Sequence, residues 1–381
     1  MLDVEKSVRD RYSNAAQEQE AALCCPVEYN REFLKIIPQE VIDRDYGCGD
    51  PSQWVEKGET VLDLGSGGGK ICFIAAQVVG PEGKVIGIDM NDEMLALARS
   101  TTPVVAEKMG YNNIQFHKGK IEDLKIDRDA LNGYLLENPI ANELDLQNLE
   151  EFQSKMAREF PLVADNSIDV VVSNCVLNLV DSQKKQQLFA EIFRVLKTGG
   201  RAVISDIVSD ELVPQHMQDD TTLWSGCISG AFQERDFLAA FEKAGFYGIE
   251  LVKTESEPWQ TVEGIEFRSV TVVAYKGKQG ECWDHNEAVV YKGPFSQVVD
   301  DDGHVFERGQ RISVCRKTFD ILTKGNYATS FQAVKPLTAV SENERTLFEC
   351  TGGALIKNPQ ATKGQSYKAT ISNTDSGSSC C

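Results

Sequence analysis

Three cysteines stand where core packing does not ask for a thiol. Cys48 sits in "DYGCGD", bracketed by two glycines that free it from regular structure. Cys175 lies in "SNCVLNLV", directly after the apolar run "IDVVV", where a buried strand must be ending. Cys227 lies in "LWSGCISGAF", again beside glycine. The chain carries eleven cysteines, at 24, 25, 48, 72, 175, 227, 282, 315, 350, 380 and 381. In a small secreted domain that number would mean a disulfide framework. In 381 residues that begin "MLDVEKSVRDRYSN", without the apolar core of a signal peptide, it points to thiol or metal chemistry and to a cytoplasmic protein. With no repeated CxxC pair and only four histidines, an ordinary structural zinc site has little support.

The second stretch with chemical content is "TVLDLGSGGGK", residues 60–70. An apolar β-type run, then Gly65, Gly67, Gly68 and Gly69, then the helical "ICFIAAQVVG" reads as strand, tight turn and helix, with backbone N–H groups free to meet a ligand. The next strand, "VIGID", ends in Asp89, and an acid there can hold ribose hydroxyls, as in dinucleotide sites.

The elements that must position these groups alternate. Strands are expected at "TVLDL", "VIGID", "IQFHKG", "IDVVVSN" and "RAVISDIV", and helices at "ICFIAAQVVG", "DEMLALARS" and "KKQQLFAEIFRVLKTGG", the last ending in a glycine pair suited to a C-cap. This predicts an α/β fold, a doubly wound and mostly parallel sheet covered on both faces. Such sheets hold ligands at the carboxyl ends of their strands, which is where Asp89 and Cys175 fall. Residues 125–166 form a polar, charge-rich insertion, helical in part, with no assigned chemistry. From 278 the pattern changes to short alternating strands around a "DDDG" turn, a small β-rich domain over 278–365, and the Ser/Thr/Gly-rich 366–381 reads as a mobile tail. The expected division is therefore 1–59, an N-terminal segment carrying Cys24, Cys25 and Cys48; 60–277, the cofactor-binding domain; and these two C-terminal pieces.

A glycine loop opened by an acid, "DLGSGGG", resembles the first motif of class I S-adenosylmethionine-dependent methyltransferases. The resemblance implies that Asp63 faces the amino-acid part of the cofactor, that Gly65 and Gly67 lie under it, and that Asp89 holds the ribose. Lys120 and Ile121 in "GKIEDL" then fall at the adenine, and Met90 and Asn174 complete the candidate contacts. The segments "YGCG", "SNCVLNLV" and "LWSGCISGA" together resemble the arsenite S-adenosylmethionine methyltransferases over roughly residues 40–275. That resemblance implies that Cys48, Cys175 and Cys227 hold trivalent arsenic, whose lone pair attacks the sulfonium methyl group. It also implies a thiol-exchange role near the N-terminus, for which Cys25, beside Cys24, is the candidate. The substrate would be arsenite or a thiol-conjugated As(III), and the thiols would be restored by an external reductant such as thioredoxin or glutathione. Cys72, Cys282, Cys315 and Cys350 read as small buried packing residues, and Cys380 and Cys381 as thiols of the tail. Tyr46 and Trp224 are candidate pocket walls.

Two other readings use the same residues. One is a methyltransferase of this fold acting on another small molecule or metalloid. The other is a thiol-based arsenic- or metal-binding protein without turnover, against which the intact "DLGSGGG" and Asp89 argue. With 58 acidic against 39 basic residues, a formal net charge of -19, the chain is unsuited to phosphate backbones or anionic lipid surfaces. Neither nucleic acid nor membrane is an expected partner.

Overall fold

The computed structural model describes residues 4–17, 20, 27–350 and 355–363. Cys24, Cys25, Cys380, Cys381 and the expected tail lie outside them. The chain forms two compact units, Met1–Gly277 and Lys278–Cys381.

In the first unit the strands are β1 (Thr60–Leu64), β2 (Lys84–Asp89), β3 (Ile114–Lys118), β4 (Ile168–Asn174), β5 (Leu196–Ser209), β6 (Phe232–Gln233), β7 (Tyr247–Thr254), β8 (Gln260–Val262) and β9 (Ile265–Tyr275). The sheet runs β3-β2-β1-β4-β5-β9-β7, with β6 paired to β5 and β8 to β9. Strands β1 to β5 are parallel, while β9 is antiparallel to both β5 and β7. The order reverses between β1 and β4, which opens a crevice at their carboxyl ends.

The helices are α1 (Val4–Ala15), α2 (Arg31–Leu34), α3 (Gln39–Asp43), α4 (Lys70–Val79), α5 (Asp92–Met109), α6 (Arg128–Glu137), α7 (Glu143–Glu159), α8 (Lys185–Val195), α9 (Gln215–Gln218), α10 (Thr221–Ser225) and α11 (Glu234–Ala244). Strand alternation decides what they cover. Val61, Val85, Val172, Val203 and Val273 pack with Phe73, Ile74 and Ala98 of α4 and α5. Leu62, Leu64, Val171, Ile204 and Val272 pack on the other face with Leu188, Ile192, Phe237 and Phe241 of α8 and α11. Full burial of each large apolar side chain stabilises by about 1.5–3 kcal/mol. The doubly wound sheet expected from the sequence is the one that forms.

One boundary differs. The helix expected to run to the glycine pair ends at Val195, and Leu196 already begins β5. The glycines do not cap a helix but serve the sheet. Gly199, at φ 87°, donates to the Lys276 carbonyl (2.6 Å), and Lys276 N donates back to Gly200 (2.9 Å). A side chain on Gly200 would meet the Asp169 carbonyl at 2.8 Å. The insertion at 125–166 folds as α6 and α7, tied by the stacked Tyr134 and Phe152 rings (centroids 4.1 Å apart). Among the described residues no helix is long and apolar enough to cross a membrane.

The second unit contains β10 (Trp283–Asp284), β11 (Ala288–Tyr291), β12 (Gln297–Val299), β13 (Val305–Glu307), β14 (Arg311–Ser313), α12 (Arg316–Thr323), β15 (Phe331–Val334), β16 (Thr346–Leu347) and β17 (Leu355–Ile356). Its main sheet runs β15-β11-β14-β17, and β10 pairs with β16. Val289, Phe306, Ile312, Phe319 and Phe331 form its core.

Candidate active site

A cavity of 480 Å³ opens at the carboxyl ends of β1, β2 and β4, within the range of small-molecule and cofactor sites. Its lining includes Asp63, Gly65, Gly67, Asp89, Met90, Lys120, Ile121, Asn174 and Cys175, so every candidate cofactor residue comes to one place. Asp63 follows Val61 on the α4 face of β1, which turns its carboxylate inward, and Cys72 Sγ donates to Oδ2 (3.2 Å). Cys72 is thus fully buried, as packing requires, and also serves the acid. Burial, with Asp45 and Asp89 nearby, pushes the Asp63 carboxyl up to about 7, against the pull of the Cys72 hydrogen bond. Asp89 accepts from Gly67 N and Asn91 N, each at 2.8 Å, and burial raises its carboxyl too. The first of these bonds fixes the glycine loop, whose Gly67 takes φ 50°. Ser66 Oγ, also on the lining, is buried and has no hydrogen-bond partner among the described residues.

The thiols lie beside this cavity. Cys175, one residue past β4, and Cys227, two residues past α10, both adopt left-handed backbone conformations (φ 61° and 62°), which residues with a side chain avoid unless their surroundings impose them. Cys48 and Cys175 are joined as a disulfide with Cα atoms 5.7 Å apart, and Cys227 Sγ lies 3.4 Å from the Cys175 carbonyl. All three are buried. The glycine flanks of Cys48 predict a loop that moves easily, yet here it is closed. Asn174 Oδ1 accepts from Cys48 N (2.9 Å) and Gly49 N (3.0 Å), and Nδ2 donates to the Gly49 carbonyl (2.7 Å). Ser269 Oγ donates to the Cys48 carbonyl (2.6 Å). The glycines are needed for this close approach, because a side chain on Gly47 would overlap the Asn174 amide and one on Gly49 the Ser205 side chain. Asn174, expected among the cofactor contacts, therefore lines the cavity but commits its amide to the Cys48 loop.

Several residues near the site gave no recognised signal in the sequence. Asp206, whose carboxylate lies within 4.8 Å of the Cys48 and Cys175 sulfurs, accepts from Leu177 N (2.9 Å) and Asn178 Nδ2 (2.8 Å). Burial pushes Asp206 up to about 6 and the neighbouring Lys185 down to about 8, each partly offset by the other. Lys185 donates to the Gly230 carbonyl. Helix α1 covers the cavity with Val4, Glu5, Val8, Arg9 and Tyr12. Their spacing of three and four residues is a helix face and could have been read as one. Tyr12 Oη comes within 3.9 Å of Cys227 Sγ, and Glu5 pairs with Lys120 (2.6 Å). Lys70, the last residue of the glycine motif, is buried in an ion pair with Asp45, its ammonium 3.6 Å from the centre of the Tyr29 ring. Tyr46 lines the cavity, donating to the Ala15 carbonyl (2.8 Å). Of the two pocket walls expected from the sequence, Tyr46 is thus on the lining, whereas Trp224 is not, being buried and donating to the Leu179 carbonyl (3.3 Å).

Cys282, Cys315 and Cys350 do not fit the packing expectation. Cys282 and Cys350 are only half-buried, and the three sulfurs cluster within 4.8 Å of one another.

A family model described as "Methyltransferase domain" matches residues 55–140 and 136–245, and one described as "Domain of unknown function (DUF8838)" matches 278–367. The chain is 31% identical to an arsenite methyltransferase of Aquipseudomonas alcaligenes over 93% of this chain and 97% of the relative. It is 28% identical to that of Mus musculus over 100% of this chain and 96% of the relative. Among solved structures it resembles an arsenic (III) S-adenosylmethionine methyltransferase from Chlamydomonas reinhardtii, at 29% identity and a TM-score of 0.55, covering 81% of this chain and 96% of that one. A sheet of this topology, a cofactor-sized cavity at its switch point and likeness along nearly the whole length of these relatives agree: the chain belongs to the arsenite methyltransferases, enzymes that methylate arsenic with S-adenosylmethionine.

Proposed function

We propose that Cys48, Cys175 and Cys227, as thiolates, hold trivalent arsenic as substrate beside the cofactor cavity. Trivalent arsenic is a soft centre, and thiolates are the protein ligands that suit it. The observation that carries this reading is the convergence of three buried cysteines from distant segments, two in left-handed conformations, next to the cavity. Three thiolates leave the arsenic lone pair as the fourth position, and that lone pair is the nucleophile. Bound S-adenosylmethionine supplies an electrophilic methyl group. The chain's own work is to bind and orient, a proximity effect that can reach several kcal/mol. No general base is needed, because arsenic carries no proton to remove. Asp63 is suited to the cofactor's ammonium group, Gly65 and Gly67 to its amino-acid part, and Asp89 with Met90 to the ribose. Lys120 and Ile121 border the adenine. The unsatisfied Ser66 Oγ favours a polar ligand here, and the acids Asp63 and Asp89 on the lining a cationic one.

Methylation raises arsenic to the pentavalent state, and return to As(III) takes two electrons from thiols. The Cys48–Cys175 pair is a ready product of that step, to be reduced by an external dithiol such as thioredoxin, or by glutathione. The reading is tested by incubating reduced protein with methyl-labelled S-adenosylmethionine and arsenite and separating the products. Label in methylated arsenicals is expected, and label confined to unreacted donor would reject it.

The Asp89→Ala protein is expected to lose roughly 1.5–3 kcal/mol of cofactor binding, the scale of a charge-assisted hydrogen bond. Its arsenite binding should change little. Calorimetry giving an unchanged cofactor affinity would remove Asp89 from the ribose site. The pH dependence is also set. The folded chain holds the Asp63 proton more tightly than the unfolded chain, so this group lowers folding stability as pH rises from 3.8 to about 7, and the loss levels off above that. A cationic cofactor group favours the ionised acid, so affinity should rise with pH up to about 7 and then flatten. An Asp63→Asn protein should lose that slope, and a wild-type affinity flat from pH 5.5 to 8 would contradict the assignment.

A further inference from the structure

We propose that Cys282, Cys315 and Cys350 form a second thiol site, within the Lys278–Cys381 unit, that takes one three-coordinate thiophilic centre, trivalent arsenic in the form of arsenite. The three residues come from separate stretches of chain, yet their sulfurs lie within 4.8 Å of one another, and all three cysteines are free. Pairing of β10 with β16 brings two of them together, since Trp283 faces Leu347 and Phe348 N donates to the Cys282 carbonyl (2.7 Å). Cys315 is the N-cap residue of α12, and its Sγ lies 3.4 Å from Thr318 Oγ1.

Each stretch is fixed by polar contacts. Lys317 Nζ donates to the carbonyls of Lys278 (2.9 Å) and Gly280. The His304 ring, held by Asp300 at Nδ1 (2.8 Å), donates from Nε2 to the Cys350 carbonyl (3.1 Å). None of the three cysteines belongs to the apolar cluster of this unit. Cys315 is buried while Cys282 and Cys350 are half-exposed, so the cluster has a floor and an open side.

The number of donors selects the ligand. Among the described residues no fourth Cys, His, Asp or Glu joins the three at that distance. Zinc wants four ligands in a tetrahedron. Trivalent arsenic is satisfied by three thiolates in a pyramid and is soft, as they are. Three thiols condense with As(OH)3, forming three As–S bonds and releasing three waters. The oxidation state does not change, and no methyl donor is involved.

The test uses the full chain, reduced with a phosphine and freed of excess, with sodium arsenite as the probe. Bound arsenic after gel filtration should fall by one equivalent in the Cys282→Ser, Cys315→Ser, Cys350→Ser triple variant, while methylation of arsenite persists. A second measurement needs no variant. With arsenite at about ten times its Kd, maleimide alkylation of all three cysteines in the wild-type chain, read peptide by peptide, should slow roughly tenfold and in parallel. Methylarsenite, with two open positions, should leave one of the three reactive. An unchanged arsenic count in the folded variant, alkylation indifferent to arsenite, or stoichiometric zinc that excludes arsenite would each overturn the proposal.

Discussion

Cys175→Ser and Cys227→Ser proteins are expected to lose methylation of both arsenite and methylarsenite, by at least about a hundredfold, the scale on which misplaced reactants lose their proximity advantage. Serine keeps the size of the residue but replaces a soft thiolate with a hard, protonated hydroxyl, so arsenic loses a ligand and its lone pair loses its aim. The left-handed backbones at φ 61° and 62° are set by the surrounding fold, so both variants should still fold. Cys48 differs because it is delivered by a loop and not by the end of a strand. A monomethylated arsenical has two positions left for thiolates, so the Cys48→Ser protein should fail with arsenite yet retain activity on methylarsenite. Product speciation for the three proteins on both substrates decides this, and full activity of either Cys175→Ser or Cys227→Ser would sink the thiol mechanism.

The Asn174→Ala protein should behave like Cys48→Ser, with a lower Tm as well. It removes three hydrogen bonds to the Cys48 loop and leaves the N–H groups of Cys48 and Gly49 without their acceptor. Each buried polar group left unpaired costs about 1–3 kcal/mol, and the loop escapes that cost by opening toward water. The first methylation should therefore drop at least about tenfold, since each 1.4 kcal/mol of lost closure is a factor of ten. Cofactor affinity should stay within about a factor of two of wild type, because the Asn174 amide is committed to the Cys48 loop. A cofactor affinity that falls as in Asp89→Ala, with arsenite methylation limited only by that fall, would return Asn174 to the cofactor site.

Much of this site could be read from the chain, because its parts are local. The glycine loop and Asp89 are the turn after one strand and the end of the next, points that strand period and glycine position locate without a structure, whereas Asp63, Lys120 and Ile121 are singled out by the resemblance to class I methyltransferases. Cys48, Cys175 and Cys227 stood out through their glycine or strand-end settings. The residues that escaped depend on contacts between distant segments. Asn174 is among the candidates, but nothing in "VVVSNCV" says that its amide pairs with a loop 125 residues away. Lys185 shares its helix face with the buried Leu188, Phe189 and Ile192, where pattern expects an apolar residue, and only the fold shows that it faces Asp206. The glycine pair at 199–200 looked like a helix stop because propensity sees glycine but not the neighbouring Asp169 carbonyl that requires it. Cys282, Cys315 and Cys350 are separated by stretches of chain that pattern cannot close, so their clustering could be seen only in three dimensions.

The most direct measurement is anomalous diffraction at the arsenic edge from crystals of reduced protein loaded with arsenite. The account predicts a peak within bonding distance of the sulfurs of Cys48, Cys175 and Cys227, facing the cavity bounded by Asp63 and Asp89. Arsenic found only elsewhere in the molecule, with those three sulfurs unliganded, would contradict it.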